Sequence, residues 1–320
     1  MRLNQFLARA GVSSRRGGDD LIRRGAVTVN GGIVQDMGRQ VDPEKDAVKV
    51  NGKRIFVEVF HYFVFNKPEG LMCTLEDPEG RPCLGDMISR LGAGRLFPVG
   101  RLDYKTEGIL LLTNDGDLAQ KLLHPKFQVA RTYLAKVQGI LTTAEFEKMA
   151  QGVHLEDGWA KAEVKPVEKM EKNSYVRVTV REGRNRLVRR LFVAVGHPVV
   201  KLQRVGFGPM TLGNLAPGEA HRLGTEEIKA LKAFAAGVHP QNPSSKGNWP
   251  SWPRTPKNTS RREASAQGAR SSWPGTPKNA PRREASAQGP RHSRGPKHPQ
   301  TQRDRKEPSA FGVRHTQKRP

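Results

Sequence analysis

The chain has 320 residues, and 55 Lys and Arg against 31 Asp and Glu give it a net charge of +24 and a pI near 10.5. Such a charge indicates a polyanionic partner, with nucleic acid favoured over an anionic membrane surface. No apolar run of about 18 residues predicts a transmembrane helix, and the N-terminus lacks the pattern of a secretory signal. Two cysteines, Cys73 and Cys83, make neither a disulfide framework nor a zinc cluster, so a cytoplasmic protein is expected.

The first 58 residues predict a small basic domain of two helices and a sheet. Apolar residues at 3, 6, 7 and 10 follow helical spacing, and a serine at 13 or 14 can cap a second helix that ends at Gly25. Residues 26–30 and 48–50 alternate as strands. Gly17 and Gly18 each cost roughly 1 kcal/mol of helix stability, so the second helix is expected to begin late or fray.

Arginines on or between these two helices predict an RNA-binding face. The alternative is a solvated helix surface, but no acidic residue occurs before Asp19 to balance the charge, which favours RNA contact. The arginines assigned to this face are Arg9, Arg15, Arg16, Arg23 and Arg24.

Residues 59–238 predict an α+β domain. The apolar or alternating stretches 60–66, 132–137 and 175–180 are typical of strands. The spacing within 185–195 predicts an amphipathic helix, and another helix is expected from Thr225 to Ala236. A glycine-containing loop at 91–94 lacks the strand-to-helix context of a phosphate-binding loop.

Residues 239–320 are expected to form a disordered basic tail. Positions 241–320 hold 18 Lys and Arg against 4 Asp and Glu, which is +14 of the total +24, together with 12 of the 23 prolines. Val313 is the only Leu, Ile or Val in this stretch, so it has too little apolar surface to offset chain entropy. SWPRTPKNTSRREASAQG from Ser251 recurs as SWPGTPKNAPRREASAQG from Ser272, a repeat of 21 residues.

The segment GRLDYKTEGILLLTNDG, residues 100–116, contains the leading catalytic candidate. Asp103 precedes the apolar run 109–112, which predicts a buried strand that ends at a polar turn. A carboxylate at the edge of a buried strand is held in place and partly desolvated, as nucleophiles and acid–base groups are. For an isolated aspartate, a turn residue that bonds its own backbone would be the better interpretation.

Four segments in order resemble the pseudouridine synthases that modify ribosomal RNA, in the branch named after the small-subunit enzyme. They are FNKPEGLMCT (65–74), the string at 100–116, ARTYLAKVQG (130–139) and the segment 182–219. The strings LARAGVSSRR and LIRRGAVTVNG, within residues 7–31, resemble an S4 RNA-binding domain. The resemblance covers roughly residues 1–236 and implies an S4-like domain followed by a catalytic domain with a mixed or antiparallel sheet.

The resemblance implies a role for three residues: Asp103 is the catalytic aspartate, Tyr133 packs on the target base, and Arg189 pairs with the aspartate. Lys67 and Pro68 are expected to shape the fold around the site. With Val188 at the centre of the buried helix face, Arg189 lies at its edge, from which a guanidinium can reach the aspartate in bidentate geometry. Arg186 and Arg190 are expected on the far side and, with Arg101, are assigned to RNA contact.

The reaction implied is the isomerisation of a uridine, which needs no metal or nucleotide cofactor. The partner expected is ribosomal RNA or a pre-ribosomal particle, and the enzyme is expected to be monomeric. The TEGILLLTNDG form and the basic extension are more similar to the large-subunit enzymes that act on 23S rRNA than to the 16S type.

Two alternatives remain open at this stage. A non-catalytic RNA-binding or ribosome-assembly protein explains the charge but not the combination of Asp103, Tyr133 and Arg189. A glycosidase with a carboxylate pair is possible because Glu107 and Asp115 lie near Asp103, although they are better interpreted as a turn residue and a hairpin residue.

Overall fold

A computed structural model describes residues 1–169 and 172–238. The tail predicted for 239–320 lies outside the described residues. The helices are α1 Leu3–Arg9, α2 Arg15–Arg23, α3 Leu84–Arg90, α4 Gly116–Leu123, α5 Thr143–Gln151, α6 Leu187–Ala194 and α7 Thr225–Ala235, with a 3-10 turn at Pro125–Phe127. The strands are β1 Val27–Val29, β2 Gly32–Ile33, β3 Val48–Val50, β4 Lys53–Arg54, β5 Tyr62–Lys67, β6 Phe97–Pro98, β7 Glu107–Thr113, β8 Arg131–Gln138, β9 Val153–Leu155, β10 Gly158–Ala160, β11 Glu163–Lys169, β12 Asn173–Val180, β13 Val199–Phe207, β14 Met210–Thr211 and β15 Ala220–Arg222.

The N-terminal region packs α1 and α2 on a four-stranded sheet of order β2-β1-β3-β4. The prediction that α2 begins late is wrong, because the Ser14 hydroxyl caps the helix by accepting a 3.0 Å hydrogen bond from the Gly17 amide. Gly18 is buried where α2 crosses α1, and a Cβ there would lie 3.3 Å from the Asn4 carbonyl oxygen. The glycine therefore permits the two helices to pack closely, which offsets its low helix propensity.

The second sheet has nine strands in the described residues, with the order β11-β12-β8-β13-β7-β5-β15 and with β14 and β6 paired to β13 and β7. Its neighbours are antiparallel except for β13 and β7, which are parallel. The predicted α+β class with a mixed sheet is confirmed. Helices α5 and α6 cover one end of the sheet, and α3, α4 and α7 cover the other.

Strand β7 is buried on both faces, which explains the continuous apolar run in its sequence. Ile109 and Leu111 pack in the cluster that includes α4 and α7. Leu110 and Leu112 pack on the opposite face with α3. The strand is therefore rigidly held, and so is the segment that leads into it.

Asp115 caps helix α4, so the prediction of a hairpin residue is wrong. Its Oδ1 accepts a 3.0 Å hydrogen bond from the Leu118 amide, and its Oδ2 accepts a 2.8 Å bond from the Tyr62 hydroxyl. The segment after Asp115 has apolar residues at helical spacing, Leu118, Ala119 and Leu122, which are buried. This helical pattern prevails over the turn propensity of Asn114, Asp115 and Gly116.

The N-terminal region contacts the larger one at the start of α4 and at Phe60. The Gln5 amide donates to Asp117 at 3.3 Å, and the Arg9 guanidinium lies 4.6 Å from the centre of the Phe60 ring. Lys232 of α7 lies 5.9 Å from the same ring. None of the helices within 1–169 and 172–238 has the length and apolar character needed to cross a bilayer.

Candidate active site

The loop between β6 and β7 places Asp103 at the edge of a cleft. The Asp103 carbonyl accepts a 3.0 Å hydrogen bond from the Thr106 amide, which closes a tight turn just before β7. At Gly108 the backbone has φ +113°, and a Cβ would overlap the backbone of Arg204 in the adjacent β13. The carboxylate side chain is 30% exposed. It is therefore accessible to a ligand, while the turn and the close contact of Gly108 with β13 hold the loop that carries it.

Two arginines approach the Asp103 carboxylate. Arg189 Nε and Arg186 Nη1 each lie 3.8 Å from Asp103 Oδ2. The expectation that Arg186 lies on the far side of α6 is wrong, because Arg186 precedes the helix with left-handed backbone, at φ 47°. The predicted ion pair between Arg189 and Asp103 is present, but it is not a bidentate hydrogen-bonded pair.

Arg189 uses its remaining nitrogens to hold the backbone around the site. Its Nη2 donates to the carbonyl of Lys105 at 2.8 Å and to the Thr106 hydroxyl at 3.4 Å, and its Nη1 donates to the carbonyl of Val199 at 3.5 Å. Its side chain is only 13% exposed. Burial lowers the pKa of Arg189, and the neighbouring Arg186 adds to that effect.

Tyr133 lies in β8 and lines the same cleft as Asp103. Its register partner in β13 is Arg204, and Arg131 lies two residues away on the same face of β8. Arg131 and Arg204 were not recognised in the sequence. The available signal was the alternation of β8 and β13, which puts both arginines on a face where a buried side chain is expected.

Lys67 supports the Asp103 loop from inside the fold. It is fully buried, and its Nζ donates to the carbonyls of Pro68 and Thr106 at 2.9 and 3.1 Å. Burial lowers the pKa of Lys67, while nearby acidic groups including Cys73 and Asp103 oppose the shift. Its position agrees with the expectation that Lys67 shapes the fold around the site.

The arginines predicted to bind RNA differ in how free they are. Arg101 is exposed and lines the cleft, and Arg15 and Arg16 are exposed on α2. Arg190 donates to Asp157 at 2.8 Å, and Arg23 donates to Asp20 at 2.6 Å. The remaining three also have contacts within the chain: Arg9 with Phe60, Arg24 with the carbonyl of Asp20, and Arg186 with Asp103.

The carboxylates proposed for a glycosidase pair are engaged elsewhere. Glu107 pairs with Lys201 at 3.1 Å, and Asp115 caps α4 inside the protein. Six arginines line the cleft, against the two carboxylates Asp103 and Glu182: Arg101, Arg131, Arg184, Arg186, Arg189 and Arg204. A cationic cleft with a partly exposed carboxylate at Asp103 and a tyrosine in its lining suits chemistry on a nucleotide of a polyanion.

Comparison with known proteins identifies the family of this chain. Residues 61–194 match the RNA pseudouridylate synthase family, and residues 1–46 match the S4 domain. A ribosomal large subunit pseudouridine synthase B of Bacillus subtilis is 42% identical over 237 residues, which cover 73% of this chain and 96% of that protein. A protein of the same name from Pseudomonas aeruginosa is 42% identical over 238 residues, 72% of this chain and 61% of its own length.

A solved structure leads to the same family. The crystal structure of a pseudouridylate synthase matches with a TM-score of 0.52 and 32% identity, over 72% of this chain and 99% of that one. The chain belongs to the RNA pseudouridine synthase family.

Proposed function

We propose that this enzyme isomerises a specific uridine of ribosomal RNA, in 23S rather than 16S rRNA, with Asp103 as the catalytic aspartate. The observation that carries the proposal is the position of Asp103 in a cationic cleft that Tyr133 also lines, 3.8 Å from two guanidiniums. The relatives from Bacillus subtilis and Pseudomonas aeruginosa are named for the large ribosomal subunit, which supports 23S rRNA as substrate.

The reaction breaks the C1′–N1 bond of the uridine, turns the uracil and joins C1′ to C5, so the product is an isomer of the substrate. The base must leave its stack to enter the cleft, at a cost of a few kcal/mol, and stacking on Tyr133 offsets part of that cost. Asp103 then acts as nucleophile towards the sugar or the base, or as the base that removes the 2′ proton. Arg189 positions Asp103 through both its side chain and the loop backbone.

In this proposal the regions on either side of the catalytic domain bind RNA. Residues 1–58 form the S4-like module, residues 59–238 form the catalytic domain, and residues 239–320 form a basic tether. Exposed arginines such as Arg15, Arg16 and Arg101 contact phosphates and position the RNA rather than reading its sequence. The enzyme acts as a cytoplasmic monomer on rRNA or a pre-ribosomal particle.

The test is a pseudouridine map of rRNA from cells with and without the gene, repeated with the Asp103→Asn variant. The expected result is one 23S position that depends on the protein and on Asp103. Modification confined to 16S rRNA would show that the substrate is 16S rather than 23S rRNA. An unchanged map, together with rRNA binding by the purified protein, would instead support the non-catalytic assembly protein.

A further inference from the structure

Two buried arginines line the cleft next to Tyr133: Arg204 is its partner on the adjacent strand, and Arg131 lies two residues away on the same strand. Arg131 and Arg204 are 8% and 2% exposed. The register pairs Arg204 with Tyr133 and Arg131 with Phe207, so all four side chains lie on one face of the sheet and line the cleft. Both guanidiniums lie over the Phe207 ring, at 5.6 and 5.1 Å from its centre.

Neither guanidinium has a carboxylate within 4.0 Å in the described part of the chain. Arg131 donates to the carbonyl of Val129 at 2.9 Å, and Arg204 Nε donates to the carbonyl of Ile109 at 2.8 Å. Arg204 Nη2 is buried without any hydrogen-bond partner. The more exposed Arg184 of the same cleft, by contrast, is balanced by Asp157 and Glu182.

Two such charges are costly in the unliganded protein. A buried charge is unfavourable unless it is paired, and apolar side chains of similar volume often stabilise a fold better. Burial lowers the pKa of Arg131, and the charge of Arg204 lowers it further. A purely structural role does not require a guanidinium at either position, so the pair is better explained by a ligand that supplies the missing negative charge.

We infer that Arg131 and Arg204 form an anion site that binds a phosphodiester group next to the target uridine while Tyr133 contacts the base. Guanidinium forks match phosphate oxygens in charge and geometry, whereas uracil itself is neutral and cannot balance the two charges. This inference rests on the proposed function, since it assigns a part of the same RNA substrate to residues that the catalytic step does not use.

The test is a double-mutant cycle between the protein and the RNA. A short substrate RNA carries a single uncharged methylphosphonate at each phosphate around the target uridine in turn. Wild type, Arg204→Met and Arg131→Met are compared, and Arg90→Met removes one exposed arginine of α3 as the matched control. The value of kcat/KM is measured for each pair of protein and RNA. RNA affinity is measured in parallel in an Asp103→Asn background, so that the anion site is tested even if no uridine reacts.

One phosphate adjacent to the uridine is expected to be critical. Its methylphosphonate should weaken RNA binding and kcat/KM of wild type by about 10- to 100-fold, as for loss of a charge-assisted hydrogen bond. Arg204→Met or Arg131→Met should cause a similar loss on normal RNA and little further loss on the modified RNA. The Arg90→Met protein should remain as sensitive to the methylphosphonate as wild type.

Additive losses in the arginine variants would overturn the inference. The inference would also be overturned if no methylphosphonate adjacent to the uridine affected the wild-type protein more than one placed five nucleotides away. This comparison uses only the wild-type protein, so it does not depend on the folding of a variant. Thermal melting tests the alternative that the two arginines only stabilise the fold. In that case both methionine variants lose stability, and the loss of RNA binding follows the loss of folded protein. If no uridine is isomerised but the affinity measurements still show non-additive effects of an arginine variant and one methylphosphonate, the result would count against the proposed function but not against the anion site.

Discussion

Arg189 lies with its Nε 3.8 Å from Asp103 Oδ2, while Nη2 of the same guanidinium donates to the Lys105 carbonyl at 2.8 Å. One side chain thus contacts the carboxylate and also fixes the backbone two residues further along. Because Arg189 is held in turn at the carbonyl of Val199, the loop is tied to helix α6 and to the start of strand β13. The orientation of Asp103 therefore depends on a planar group with several donors, not on charge alone.

Replacement of Asp103 by Asn should abolish isomerisation and leave RNA binding nearly intact. The amide has almost the same volume but is neither a nucleophile nor a base, so the single-turnover rate should fall by about 10³-fold or more. The rate is measured on a 23S rRNA fragment, with affinity measured on the same RNA. A variant that retains near-normal turnover would show that another group carries the reaction.

Arg189→Lys should reduce the single-turnover rate by about 10- to 100-fold. Lysine keeps the charge but cannot donate to Lys105, Thr106 and Val199 from one planar group. Arg186→Lys is the matched control, since Arg186 lies at the same distance from Asp103 but is 53% exposed. It should act mainly on KM, and equal losses of rate in the two variants would contradict this division of roles.

Gly108→Ala should destabilise the protein by more than about 3 kcal/mol. The backbone there has φ +113°, and the added Cβ would overlap the backbone of Arg204. Gly116→Ala is the control: it lies at the first position of α4, where the nearest atom to a new Cβ is Arg15 Nη2 at 3.7 Å. Chemical denaturation should show little change or a gain for Gly116→Ala, and similar losses in both variants would contradict the predicted contact.

Stability should fall at alkaline pH because of Tyr62. Burial and its hydrogen bond to Asp115 raise the pKa of Tyr62 well above the usual value near 10. The unfolded chain releases the phenolic proton first, so the contribution of Tyr62 is complete below pH 10 and is lost above it, by up to about 1.4 kcal/mol per pH unit. Tyr62→Phe should remove this part of the slope of unfolding free energy against pH, and an unchanged slope would contradict it.

Removal of residues 241–320 should weaken RNA binding most at low salt without changing which uridine is modified. The segment carries +14 of the net charge, and binding through counterion release has a log–log salt slope of about −0.7 per phosphate neutralised on single strands. A tail of equal length with its Lys and Arg changed to Gln is the matched control and should behave like the truncation. An unchanged salt slope, or a different modified uridine, would refute the tether.

The sequence predicted those elements whose apolar periodicity or motif order is clear. The apolar spacing around Val188 placed helix α6, and the run 109–112 placed a buried strand behind Asp103, because local pattern and burial agree there. The turn propensity of Asp115 misled, since capping a helix and turning a hairpin use the same residue types. Arg131 and Arg204 were missed because β8 and β13 alone do not reveal that their arginines meet in one cleft.

Strand β13 lies between β8 and β7, although it comes nearly last among the strands along the chain. It joins the half of the sheet that carries Tyr133 to the half that follows Asp103. During synthesis, the neighbouring strands β8 and β7 both emerge from the ribosome before the strand that must insert between them, so the catalytic groups remain apart until residue 207 has been made. Assembly of the site therefore waits for a long-range parallel pairing, which is a slow step in folding, and a nascent chain that ends before β13 cannot modify RNA.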